Sequence, residues 1–275
     1  MFKKKKKIES EDIPENTNRD SSEEKEMSFF DHLEELRKRI ILALVGIIIG
    51  CIIAGIFINE LLNYILLNPA TAVNLNLQNL RPFGQPFLYF KVIIVAGIII
   101  AFPFMLYQLW KFIAPGLYFK ERNWVGRITF FTSLCFLSGV FFSYFVMIPS
   151  MMKFAAYFGT DKIKNNIDIN EYFSFLTTML LATGLVFEMP MVAYVLSRFG
   201  ILKPKFLSSH RKHSVVVILI IAAVLTPSTD PISQLIFAAP LFVLYEISII
   251  ISKVASKKYN VEPEKSKNQN QQVNE

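Results

Sequence analysis

The chain has 275 residues, 53% of them apolar and 14% aromatic with Phe the dominant ring, and a net charge of +7. The apolar residues are gathered into blocks of membrane-spanning length with charges pushed into the gaps, which excludes an ordinary soluble domain and points to a polytopic membrane protein. In that setting the basic excess reads as orientation and lipid contact, not as nucleic-acid binding.

Lys3 to Lys7 open a polar, acidic segment that runs through Glu26 with almost no apolar content, so residues 1–27 are expected to form a disordered cytoplasmic tail. Ser28 to Ile40 then reads as a short amphipathic helix on the membrane surface. Ser28 can cap it, Asp31, Glu34 and Glu35 come early, and Arg37, Lys38 and Arg39 come late, as the helix dipole favours. Phe29, Leu33, Leu36 and Ile40 line one face, and His32, Glu35 and Arg39 line the opposite one. Glu34 with Lys38 and Glu35 with Arg39 are also ordinary helix-stabilising pairs, so spacing by itself assigns them no function.

The apolar run that follows starts too far in and is too long for a secretory signal. Ile40 to Ile58 is therefore expected as the first span, with Gly46, Gly50 and Gly55 permitting close packing. Asn59 to Pro86 is a turn-rich excursion on the far side. Phe87 to Trp110 follows as helix 2, with Lys91 near its start able to snorkel and Pro103 placed to kink it. Lys111 to Arg122 forms a compact aromatic and basic loop.

Helix 3 is expected from Arg127 to Ile148, stopping at Pro149, and helix 4 from about Tyr172, interrupted by Glu188. Leu202 to His213 is a basic loop, and Val215 to Leu225 is an apolar run of only about 11 residues, rising roughly 17 Å against a hydrocarbon core of about 30 Å. Ile232 to Ile251 completes the set with Pro240 and Glu246 inside it, and the polar tail from Lys253 is expected to lack structure. The predicted fold is thus all-α: a six-helix membrane domain over residues 28–255, with helices 5 and 6 short or broken, an N-terminal amphipathic surface helix, and a polar cytoplasmic tail at 256–275. An even count, together with basic loops at Lys111–Arg127 and Lys203–Lys212, places both termini in the cytoplasm.

Catalytic signatures are missing: no phosphate loop, GxGxxG, HExxH, CxxC or nucleophile elbow occurs, so no enzyme, cofactor or metal site is expected. His210 and His213 are three apart but flanked by Arg211 and Lys212, a solvated basic loop. Cys51 and Cys135 lie inside apolar blocks, where thiols act as small hydrophobes. Glu188, among Leu185, Val186, Phe187, Met189 and Met191, admits two readings from its residues: a packing contact to a neighbouring helix, or the wall of a wet or partner-facing pocket. Pro190 leaves the Val186 carbonyl without its usual donor and bends the helix beside that carboxyl.

His32-Leu-Glu-Glu-Leu-Arg-Lys-Arg39 before the first span resembles the N-terminal signature of the TatC family, receptor subunits of the twin-arginine protein translocase. The likeness continues through Phe102-Pro-Phe-Met-Leu-Tyr-Gln-Leu-Trp-Lys-Phe-Ile-Ala-Pro-Gly-Leu-Tyr118, Glu121-Arg122, Phe187-Glu-Met-Pro190, Thr226-Pro227, Asp230, Ser233-Gln234 and Leu244-Tyr-Glu246. It departs at Gly84-Gln-Pro86, where the family often carries an acid. The resemblance implies that Glu35 and Glu121 bind the paired arginines of a signal peptide, whose planar guanidinium forks suit carboxylates. His32 and Arg37 then orient the surface helix. It also implies an intramembrane polar site at Glu188 and Gln234 for single-span TatA- and TatB-type partners, and structural roles for Pro103, Pro115, Pro190 and Asp230. It further implies self-association in a receptor complex and export of folded cargo driven by the proton-motive force. The implied setting is the bacterial cytoplasmic membrane, with the plastid thylakoid as the other. Among other classes, a secondary transporter would share the intramembrane acid and broken helices, but the chain shows no duplicated half; an inert scaffold would bind no signal peptide.

Overall fold

The computed structural model describes residues 29–73, 75–113, 125–157, 166–225 and 231–272. Ser28 and the tail before it, Pro115 and Glu121 in the loop after helix 2, and Asp230 lie outside the described residues.

Helix α1 runs unbroken over Phe29–Ile56. The amphipathic segment feeds straight into the span as one helix, with no proline or glycine near Ile40 to interrupt helical bonding. Three short pieces follow: α2 (Ile58–Glu60), a π-helical turn (Leu61–Leu66) and α3 (Asn68–Thr71). Strand β1 (Asn76–Gln78) leads to α4 (Gly84–Ile113), which contains Pro103 without ending there.

Helix α5 (Val125–Phe142) continues through a second π-helical turn (Ser143–Met147) into α6 (Ile148–Tyr157). Pro149 was expected to end this span. The Ile148 N–H instead reaches back five residues to the Ser143 carbonyl, and the widened turn carries the helix past the proline. After β2 (Asn166–Asp168), α7 (Ile169–Val186) and α8 (Met189–Arg198) form a helix broken at Phe187–Glu188, with Pro190 in the first turn of α8, where its missing N–H costs least. Then come α9 (Pro204–Ser209), α10 (Arg211–Leu225) and α11 (Pro231–Gln272).

Among the described residues five helical stretches are long and apolar enough to cross a membrane: His32–Ile56, Gly84–Ile113, Val125–Ala156, Ile169–Arg198 and Pro231–Ser256. The 15 residues of α10 rise roughly 22 Å, short of a full core as its sequence indicated. The last span differs from expectation. It is neither short nor broken: α11 passes through Pro240, and Glu246 is paired at 2.8 Å with Arg211 of α10. The helix also continues into the tail beyond Lys253, as far as Gln272.

Helices α1 and α4 pack antiparallel at backbone contact. A methyl placed on Gly50 would strike the Gly97 carbonyl, and one on Gly46 would meet the Phe104 ring; small residues are what permit such approach. Elsewhere α1 shows Ile41, Leu44, Ile48, Ile52 and Ile56 outward, the lipid-facing side of a span. The core is densest where the connector after α1 meets α4, α6, α7, α10 and α11, around Leu66, Leu88, Met151, Tyr172, Met179, Ala222 and Phe237.

The loops after α1 and after α6 are joined by a feature the helical reading did not anticipate. β1 and β2 form a parallel ladder, Asn76 against Asn166 through Gln78 against Asp168. Asp168 ends it and caps α7, accepting from the Asn170 N–H at 2.9 Å, with Arg81 Nε 3.9 Å away. The Asn170 backbone N–H, helped by its side chain and by Arg81, holds the Asp168 carboxyl below the ordinary aspartate range, against burial that pushes the other way. A lowered pKa means the stabilisation is complete above the unfolded value of about 3.9 and is lost only as pH falls through the folded one. In thermal unfolding of the purified chain, Asp168→Ala is expected to melt lower than Asp168→Asn, which can still cap. The deficit of the Ala variant relative to the unmodified chain should stay constant from neutral pH to about 5 and close only below about 4.

Candidate functional site

The end of the molecule where α1 begins and α4 finishes holds the charged cluster. His32, Glu35 and Arg39 are spaced three and four residues apart and so share a face of α1, as Gln108 and Phe112 share a face of α4. Antiparallel packing through the Gly50–Gly97 crossing brings these two faces together in register. The polar face of the amphipathic segment is thus turned inward onto α4, while Leu33 and Ile40 of its apolar face are exposed. Glu34, Arg37 and Lys38 stay exposed, while Glu35, Arg39 and His32 find partners within the protein.

Glu35 and Arg39 are joined at 2.9 Å, with side chains only 17% and 15% exposed. Arg39 Nη1 also donates to Oε1 of buried Gln108 at 3.4 Å, so the guanidinium is a strut between the helices. One Glu35 oxygen is occupied by this strut; the other, Oε2, is buried without a hydrogen-bond partner among the described residues. His32 stacks on Phe112, ring centroids 4.5 Å apart and planes at 22°, pinning the start of α1 to the end of α4. Arg37 is exposed and not drawn into the cluster. Sequence reasoning passed over Gln108, although a lone amide inside an apolar run was a usable signal. Glu121 belongs to the segment that begins directly after Ile113, beside this cluster in chain order and outside the described residues.

A second acid, Glu188, occupies the break between α7 and α8. It is 9% exposed, makes no side-chain cap, and leaves Oε1 buried without a hydrogen-bond partner among the described residues. Beside it α5 and α7 cross closely: a methyl on Gly139 would fall 2.8 Å from Phe187 Cβ, and one on Gly184 would fall 2.6 Å from the Phe136 ring. Gln234 is not free to join it. Its Nε2 donates to the Leu219 carbonyl at 2.9 Å, fastening α11 to α10.

The double-mutant cycle Glu35→Gln with Arg39→Met tests the strut. Because both groups are mostly buried and tied to a second helix, the coupling read from thermal unfolding is expected at about 1 kcal/mol or more, above the roughly 0.3–0.5 kcal/mol of an exposed pair one helical turn apart. No measurable coupling would reduce the contact to surface decoration.

The profile of the family Sec-independent protein translocase protein (TatC) matches residues 31–240. A Sec-independent protein translocase protein TatC from Carboxydothermus hydrogenoformans is 41% identical over 236 residues, covering 86% of this chain and 97% of that one. Bacillus subtilis protein TatCy is 36% identical over 234 residues, covering 85% and 91%. Among solved structures, the crystal structure described as twin arginine translocase receptor TatC superposes with a TM-score of 0.73 at 35% identity, covering 82% of this chain and 99% of that chain.

Proposed function

The chain belongs to the TatC family, membrane-embedded components of a protein translocase and not enzymes, and on that footing we propose that it is the receptor for twin-arginine signal peptides. The observation that carries this reading is Glu35: a mostly buried carboxylate with one oxygen held by Arg39 and the other left without a donor among the described residues. A substrate guanidinium supplies the missing N–H groups in a geometry that lysine, a point charge, cannot reproduce. Glu121, in the following loop, takes the second arginine. His32 orients α1 through Phe112, and Arg37 assists from the exposed side. In this reading both termini and the Glu35 cluster face the cytoplasm of a bacterial cell, the β1–β2 ladder lies on the opposite side, and the proton-motive force drives export of folded cargo.

Glu35→Gln and Glu121→Gln keep shape and remove charge. Each is expected to lose a charge-assisted bond of roughly 1.5–3 kcal/mol, on the order of 10- to 100-fold in signal-peptide binding, with the chain still inserted in the membrane at normal level. Peptide crosslinking undiminished in the double variant would overturn the assignment.

Glu188 takes a separate part. Its buried, unpartnered oxygen beside a broken helix is supported best as a contact for a polar group on a single-span TatA- or TatB-type partner. Gln234 then acts from within, holding α10 against α11 near the partner surface. Glu188→Ala should leave signal-peptide crosslinking unchanged while reducing partner co-purification and export. Normal recruitment and export in that variant would leave Glu188 as a packing residue.

A further inference from the structure

We propose that the groove between α4, α5 and α7, at the end where α4 and α7 begin, is a binding site for one anionic phospholipid. Its inner part is an apolar chamber of about 350 Å³, walled by Val92, Ala96 and Ile99 of α4, Phe141 of α5, and Leu176 and Leu180 of α7. A second hollow of about 300 Å³ shares Val95, Phe173 and Thr177 with the first and adds Lys91, Ser174 and Thr178. The two therefore adjoin along one wall. Lys91 precedes Ile99 along α4, and Ser174 precedes Leu180 along α7, so the apolar chamber reaches deeper than the polar hollow, while Leu66 and Tyr144 bring its other wall up to the level of the helix starts. That gradient matches an amphiphile inserted head outward from the leaflet on the β1–β2 side.

The charge at the mouth selects the head. Lys91 is exposed seven residues inside α4, about 10 Å from its first residue, within snorkelling reach of the headgroups on that side. Among the described residues it makes no ion pair, not even with Glu171 in the first turn of α7. Thr177 Oγ1, which lines both hollows, is buried without a hydrogen-bond partner among the described residues. An ammonium with nearby hydroxyls suits a phosphodiester oxyanion. The chamber behind this mouth is lined mainly by apolar side chains. An acyl chain, a single file of methylenes, fits it.

This proposal rests on the membrane placement of the chain and not on its signal-peptide reading, so the two can fail separately. The full-length chain, purified in mild detergent and transferred to nanodiscs, would be assayed by native mass spectrometry for retained phosphatidylglycerol against phosphatidylcholine. One phosphatidylglycerol per chain is expected on the unmodified protein. Lys91→Gln should weaken its retention about fivefold, the contribution of one basic group at an anionic surface, and Lys91→Arg should restore it. Ile99→Phe, which narrows the chamber, should reduce retention of either lipid, while signal-peptide crosslinking at Glu35 stays unchanged in all three variants. Equal retention of both lipids by the unmodified chain would overturn the proposal. So would displacement of the lipid by inorganic phosphate, which would leave an anion site only, or photo-crosslinks from position 96 that trap the signal peptide in place of lipid.

Discussion

The contact on which the proposed receptor site depends is made by two residues without side chains. Gly50 of α1 faces the carbonyl of Gly97 in α4, a distance of approach that any Cβ would prevent. Two helices that touch there cannot slide past one another without a clash, so the register of every pair further along is set. At one end of that register Arg39 meets Gln108 and His32 meets Phe112. Glu35 is thereby held on an inner face, partly out of water, where a charge-assisted hydrogen bond is stronger than on an open surface.

An apolar surrounding imposes the second constraint, that backbone and side-chain polar groups find partners inside the protein. Pro69 has no N–H to offer the Ile65 carbonyl, and the Tyr144 hydroxyl donates to that carbonyl at 3.1 Å instead. Tyr172, 2% exposed, donates to the Leu66 carbonyl at 2.8 Å. Ser197 and Ser252 bond each other at 2.6 Å where α8 packs on α11. Against this economy the unpartnered oxygens of Glu35 and Glu188 stand out, because an acid is the costliest group to leave unsatisfied. One lies in the first turns of α1 beside the end of α4, the other where α7 gives way to α8.

Proline positions show how far local chemistry decides and where it stops. Pro190 does mark a real break, since it falls where α8 starts and Glu188 precedes it. Pro149, Pro103 and Pro240 do not end their helices. A π-helical turn, with its bond from Ile148 to Ser143, absorbs the first, and no sequence rule for proline distinguishes it from the others.

What the sequence by itself determined is the set of quantities that depend on neighbours along the chain. Runs of apolar residues long enough for lipid placed the helices, the brevity of Val215–Leu225 was legible, and the ordered motifs from His32 to Glu246 pointed to the family later shown by comparison. It also put His32, Glu35 and Arg39 on one face, since helical periodicity is local. Which way that face turns was decided only in three dimensions. Periodicity says what shares a side but not what the side meets, and the charges turned inward because α4 offers Gln108 and Phe112 while lipid offers nothing to an ion. The β1–β2 ladder, the Arg81–Asp168 contact and the commitment of Gln234 to Leu219 belong to the same class. Each joins residues on different elements through a contact whose existence depends on how those elements pack.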